Sequence, residues 1–259
     1  MAKNEVAAQT NKALVAATMY EDDANQGFEE ANRDSYAIPF LAVLQSGSPQ
    51  CKKSDGAYIK GAEEGMLFNT VSEQTVDGTV GVQIIPVHYK QSFIEWKPRE
   101  SGGGFVAEHG VADGQSLMKQ TTKDKDGHDC LPNGNFLVDT RSHYVLVLKG
   151  DGAYEPAVMS MSSTQMKKSR RWMTVMQNLK MTRGDGSSFT PPMFSHQYHV
   201  TTVPESNDKG SWFGWKIAIG DKVEDAGLYS SAKSFRDAIL SGEAKEQTPV
   251  PGTAEAEEF

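Results

Sequence analysis

Only two cysteines occur in 259 residues, Cys51 and Cys130, and they do not form a C-x-x-C pair. A disulfide framework is therefore excluded as the organising device, and a reducing, cytoplasmic setting is expected. No run of about 18 apolar residues is present, which excludes a membrane-spanning helix. The first residues, "MAKNEVAAQTNKALVAATMYEDD", hold no continuous apolar stretch of the secretory kind. Motifs of catalysis are missing as well: there is no G-x-x-x-x-G-K-[ST], no G-x-S-x-G and no H-E-x-x-H. "HDC" (128–130) lacks a second ligand cluster, and "DKDGHD" departs from the calcium-loop spacing. No metal, no cofactor and no enzymatic activity are expected. Leucine is sparse while Gly, Ser, Thr, Val and Met are common, a balance that favours strands and turns over a helical bundle.

The net charge of −8 is unevenly placed. Residues 1–35 carry three basic and seven acidic side chains, and residues 243–259 carry Lys245 against five glutamates. Each end is thus −4, and residues 36–242 are neutral. The overall acidity says little about the field at the central surface. We read 1–35 as an acidic arm, 36–242 as one β-rich core and 243–259 as a flexible acidic tail.

Within the core, "YAIPFLAVLQSGSPQ" (36–50), "GMLFNTV" (65–71), "FLVDTRSHYVLVLKG" (136–150) and "EPAVMSMSS" (155–163) read as strands. "VGVQIIPVHYKQSFIEWKPR" (80–99) is the longest, with Pro86 marking a bend, an edge or a bulge. Residues 100–135 are Gly-rich and polar and read as a long loop. "SSTQMKKSRRWMTVMQNLKM" is a clear helix, with Trp172, Val175, Met176 and Leu179 on one apolar stripe. Two strands (195–205, 210–220) and a final helix (229–242) closed by Gly242 follow. No βαβ alternation appears, so a parallel doubly wound sheet is excluded. The pattern predicts a mainly β chain, an OB-like barrel with insertions and two peripheral helices.

Three features suggest a polyanion partner. From Met166 to Arg183 there are six cations and no acid, and Lys167, Arg170 and Arg171 lie opposite the apolar stripe. Such a face suits a phosphate backbone; the plainer reading is a solvated helix surface. Along 89–99, alternate positions place Tyr89 and Phe93 beside Lys97 and Arg99. Single-strand binders need aromatics to stack bases and cations to track phosphates; Tyr89 and Phe93 could equally be core. In "GSWFGWKIAIG", Phe213, Trp215, Ile217 and Ile219 share one parity and read as core, leaving Trp212 and Lys216 on the other face.

The chain ends "TAEAEEF", where Glu255, Glu257, Glu258 and Phe259 combine negative charge with one terminal aromatic. Basic pockets capture such ends. This ending resembles single-stranded DNA-binding proteins of tailed bacteriophages, in which an OB-fold core precedes an acidic tail ending in phenylalanine. The bacterial form ends Asp-Asp-Ile-Pro-Phe, whereas here Glu258 directly precedes Phe259. "GMLFN" and "VHYKQSFIEWKPRESGGGF" resemble a widespread, poorly characterised phage family. The resemblance implies sequence-independent binding of single-stranded DNA in the host cytoplasm. It also implies that the tail recruits replication or recombination proteins, with no membrane partner; a homo-oligomer is compatible with it. Rival readings are a strand-annealing mediator, a virion or host-interaction protein, and a metal-dependent nuclease built on the Asp-rich loop.

Overall fold

The computed structural model describes residues 17–24, 26–31, 35–150, 152–208, 210–244 and 246–248. The chain divides into two compact units, Met1–Tyr36 and Ala37–Phe259. The first contributes one short helix, α1 (Ala17–Asp22).

The second unit is mainly β. Its strands are β1 (Leu41–Val43), β2 (Leu67–Asn69), β3 (Thr75–Val76), β4 (Val82–Trp96), β5 (Phe105–His109), β6 (Thr122–Lys123), β7 (Asp129–Cys130), β8 (Phe136–Leu148), β9 (Tyr154–Met161), β10 (Met181–Thr182), β11 (Ser188–Phe189), β12 (His196–Asn207) and β13 (Gly210–Lys222). Three helices accompany them: α2 (Val111–Met118), α3 (Met166–Asn178) and α4 (Ala226–Ser241). No helix among the described residues is long and apolar enough to cross a membrane.

The main sheet runs β13-β12-β4-β8-β7-β6, with β5 on β4 and β9 on β8, and it curls into a half-barrel. Its axis is the antiparallel pair β4 and β8, in register from Ile84↔Val147 to Trp96↔Phe136. The other edge of β4 is shared: β12 takes Val82–Ile84 and β5 takes Phe93–Trp96. Pro86 falls between these two partners, where a missing N–H costs nothing, and the β8 register slips between Pro86 and His88. The slip lets one 15-residue strand serve two neighbours and bends it.

Both faces of the sheet are buried. Ile84, Val145 and Val147 pack with Trp172, Met176, Tyr198 and Trp215 under α3. Ile85, Tyr144 and Leu146 point the other way, toward Phe235 and Ile239 of α4. This two-sided burial explains why "IIPV" (84–87) is continuously apolar rather than alternating. The helices follow their local signals. Asp225 caps α4 through the Leu228 N–H (2.7 Å), and Gly242 closes it at φ 75° with its N–H on the Ala238 and Ile239 carbonyls.

A small sheet, β1-β2-β3, fills the space between β9 and β13. Phe40 bridges Val158 on one side. On the other, the Gln45 side chain replaces a strand rung: its Nε2 donates to the Phe213 carbonyl and its Oε1 accepts the Phe213 N–H, both at 2.8 Å. Two residues on, buried Gln165 accepts the Trp215 N–H at 3.0 Å. Two amide side chains thus occupy part of the edge that β13 would otherwise leave open.

Composition assigns 243–248 to the flexible tail, but Ala244, Glu246 and Gln247 are held. Glu246 accepts from the Tyr144 hydroxyl (3.1 Å) and pairs with Lys90 (3.2 Å). The Gln247 N–H donates to the Ile38 carbonyl (2.9 Å), and Thr70 Oγ1 donates to Gln247 Oε1 (2.7 Å). Ala244 joins the α4 core. The tail is therefore rooted on the sheet, by contacts that lie far away in sequence. Glu255, Glu257, Glu258 and Phe259 lie outside the described residues.

Candidate nucleic-acid interface

α3 is placed by its buried stripe. Trp172 and Met176 are 3% and 5% exposed, while Lys167, Arg170 and Arg171 face solvent. Beneath it His143 of β8 is wholly buried, with Nε2 and Ser169 Oγ 2.8 Å apart. The imidazole stacks on Trp172 (4.6 Å, 27°) and tilts against Tyr89 (5.2 Å). Burial first, and the Arg141 charge second, push the His143 pKa down to about 3, so the ring is neutral at physiological pH.

On its other flank α3 meets β12 and β13 through a polar knot. Lys168 pairs with Glu205 at 2.7 Å. Gln165 Nε2 and Trp212 Nε1 both donate to Glu205 Oε2 at 3.1 Å. Burial works to raise the Glu205 pKa, but these bonds outweigh it and hold the carboxyl below its ordinary range. The knot lies directly over Gly214, where a Cβ would collide with Lys168, Gln165 and Glu205. Glycine lets these three side-chain ends meet over the strand, and a larger residue would displace them.

Beside the knot runs a groove of about 560 Å³ between α3 and β13. Arg171 and Lys216 stand on its rims, and Trp172, Tyr198, Trp215 and Ile217 line it. Among the described residues no carboxylate pairs with Lys167, Arg170, Arg171 or Lys216. The Trp172 indole N–H and the Tyr198 hydroxyl are buried without a partner, and burial drives the Tyr198 pKa up to about 12. Beyond α3 the β10–β11 hairpin carries Lys180 and Arg183, with Arg183 4.8 Å above the Phe189 ring. Sequence reading passed over this hairpin; its signal is the "RGDGSS" turn between two short β-type pairs.

The sequence candidates therefore divide. Arg171 and Lys216 share one groove; Lys167 and Arg170 are exposed on α3 outside its lining. Trp212 is half-buried and joined to the rim through Glu205. Tyr89 is half-buried against His143. Phe93 is core, at 3% exposure, contrary to its assignment as a stacking residue. The cause is α2, which lies on that face of β4: a methyl on Gly114 would overlap the Phe93 ring, and Leu117, Leu131 and Leu137 complete the cluster. Lys97 and Arg99 are exposed beyond the end of β4, in the segment leading to β5. Eight residues of strand separate Lys97 from Tyr89, roughly 26 Å. In the 122–130 hairpin, Asp124, Asp126 and His128 offer ligand atoms within 4.8 Å of one another. The loop's own bonds account for that grouping. Asp124 accepts the N–H groups of Asp126, Gly127 and His128 and the His128 ring N–H. Burial opposes ionisation there, but the His128 bonds prevail and bring the Asp124 pKa down to about 2.

Compared with known families, residues 8–245 match the one described as Pam3 phage gp34-like protein. The chain belongs to that family. The phage context expected from "GMLFN" and "VHYKQSFIEWKPRESGGGF" therefore stands. No curated protein and no solved structure matches the chain. The description of the Pam3 phage gp34-like family names no activity.

Proposed function

We propose that the protein binds single-stranded DNA without sequence preference, as a non-enzymatic factor in phage DNA replication, recombination or repair. The observation that carries this reading is the acid-free face of α3. Lys167, Arg170 and Arg171 are exposed, unneutralised by any described carboxylate, and Lys216 faces Arg171 across the groove. Phosphates condense on such a surface and release counterions. The half-exposed faces of Trp212 and Tyr89 are the candidates for base stacking, worth roughly 1–3 kcal/mol per base. The acidic tail ending at Phe259 competes for the same cations and recruits partner proteins.

Binding to oligonucleotides, measured by gel shift across a salt series with and without Mg²⁺, tests this. If the four cations each neutralise one phosphate, log K falls against log[salt] with a slope of about −2.8 for single strands. Replacing Arg170 and Arg171 with Ala halves that slope. Removing residues 253–259 leaves affinity equal or higher. A salt-independent affinity, or a preference for duplex, refutes the reading. Annealing of complementary strands would move it to a strand-pairing mediator.

A further inference from the structure

A second hollow, of about 490 Å³, lies at the start of α3, against the Phe136–Asp139 end of β8 and the β6–β7 hairpin. Several of its features call for an anion. The chain enters α3 through a 3-10 turn, Ser163–Gln165; neither turn nor helix has a side-chain cap or an acid in its first turn. The N–H groups at such a start carry partial positive charge. Lys167, in the first turn of α3, lines the hollow. Ser162 lines it as well; it is 1% exposed and its Oγ has no hydrogen-bond partner. A buried hydroxyl left unpaired costs stability, and a ligand acceptor in the hollow relieves that cost.

The rest of the lining describes the remainder of the ligand. Phe136 and Met118 supply an apolar wall. Two of the acids opposite are firmly paired, Asp129 with Lys123 at 2.7 Å and Asp139 with Arg141, while Asp126 lies 3.9 Å from the exposed Lys125. They remain acceptors without dominating the field. The hollow thus offers donors at one end, an apolar wall, and acceptors at the other end. Its volume exceeds that of an inorganic ion and falls within the range of small-ligand sites.

We propose that this hollow binds the phosphomonoester of a nucleotide. Ser162 Oγ, Lys167 Nζ and the first N–H groups of the α3 entry hold the phosphate, the base lies on Phe136 and Met118, and base amino or sugar hydroxyl groups donate to the acids. The same phosphate could arrive on a free nucleoside monophosphate or on the 5′ end of a strand. The site goes beyond the single-strand reading and does not depend on it.

Calorimetry with the full chain decides. Deoxyadenosine 5′-monophosphate is compared with deoxyadenosine, and a 5′-phosphorylated oligonucleotide with its 5′-hydroxyl twin. The monophosphate should bind at least tenfold tighter than the nucleoside. Ser162→Ala and Lys167→Gln should each remove most of that advantage. Ser162→Ala should also raise the thermal midpoint of the ligand-free chain, because it removes a buried hydroxyl that has no partner. The same advantage for the 5′-phosphorylated oligonucleotide identifies strand ends as the source; its restriction to the mononucleotide identifies the free nucleotide. Equal binding of nucleoside and nucleotide, or a monophosphate advantage that survives both substitutions, overturns the proposal. Nucleotide binding without any strand binding sustains this site while the single-strand reading fails. Strand binding with no phosphomonoester preference and no nucleotide binding does the reverse.

Discussion

Acidification should unfold this protein through His143 in a measurable and separable way. The imidazole is wholly enclosed between Tyr89, Trp172 and Ser169, and its pKa in the fold is about 3 against an ordinary value of 6.5. Above pH 6.5 the ring is neutral in both folded and unfolded chains, and pH has no leverage through it. Between 6.5 and 3 the unfolded chain takes up a proton that the folded chain refuses. The slope approaches about 1.4 kcal/mol per pH unit, the cost of one proton, and the loss from pH 6.5 to 4.5 is about 2 kcal/mol. His88 and His196 are depressed too, chiefly by burial, and they act with the same sign. Comparison of the wild type with His143→Phe cancels their share. Phe retains the stacked ring and gives up the bond to Ser169, which lowers stability at all pH values without adding a slope. Urea unfolding at pH 7.0, 6.0, 5.5 and 5.0 gives the difference directly. Parallel curves for the two proteins would refute the argument, because they would mean that the buried ring already accepts its proton in the fold.

Two further substitutions test the packing that shapes the site. Gly114→Ala adds helix propensity worth about 1 kcal/mol but forces a methyl into the Phe93 ring at a cost of about 1–3 kcal/mol; a net loss of up to about 2 kcal/mol is expected, and a stabilised variant would show that α2 does not press on β4 as described. Gln165→Ala strips the Trp215 N–H of its acceptor and Glu205 of a donor, for a loss of about 3 kcal/mol, or a fall of roughly 6–12 °C in melting temperature for a domain of this size. A fall of less than about 2 °C would mean that water replaces the amide at no cost.

Long regular elements were legible in the sequence and their neighbours were not. The length of β4, the slip at Pro86, the stripe of α3 and the glycine cap of α4 are written in local periodicity and turn chemistry. Phe93 shows where that reading stops. Alternation predicts that Tyr89 and Phe93 share a face, and periodicity cannot reveal that α2 covers the Phe93 end of it. The covering helix itself hides in a segment whose glycines signal a loop, because Gly114 is chosen for contact with a ring rather than for helix propensity. Ile219 errs in the opposite sense: its parity marks it as core, yet it is 47% exposed, since β13 outruns the structure that packs on it. Glu246 and Gln247 read as tail because the groups that hold them, Lys90, Tyr144, Thr70 and Ile38, stand more than a hundred residues away.

Gln45 and Gln165 seal only the Phe213–Trp215 part of the β13 edge. From Ile217 onward the strand has no partner on that side among the described residues, and it carries a half-exposed isoleucine. A row of bare backbone groups beside an apolar side chain is a template for intermolecular pairing. Lys216, Asp221 and Lys222 bracket that stretch with charge, a placement that opposes such pairing. Under the proposed single-strand reading, Lys216 carries two burdens, one toward phosphate and one toward colloidal stability. A Lys216→Ala variant made to test the proposed DNA binding would also lower the concentration at which the chain stays dispersed, so its affinity has to be measured on material shown to be monodisperse.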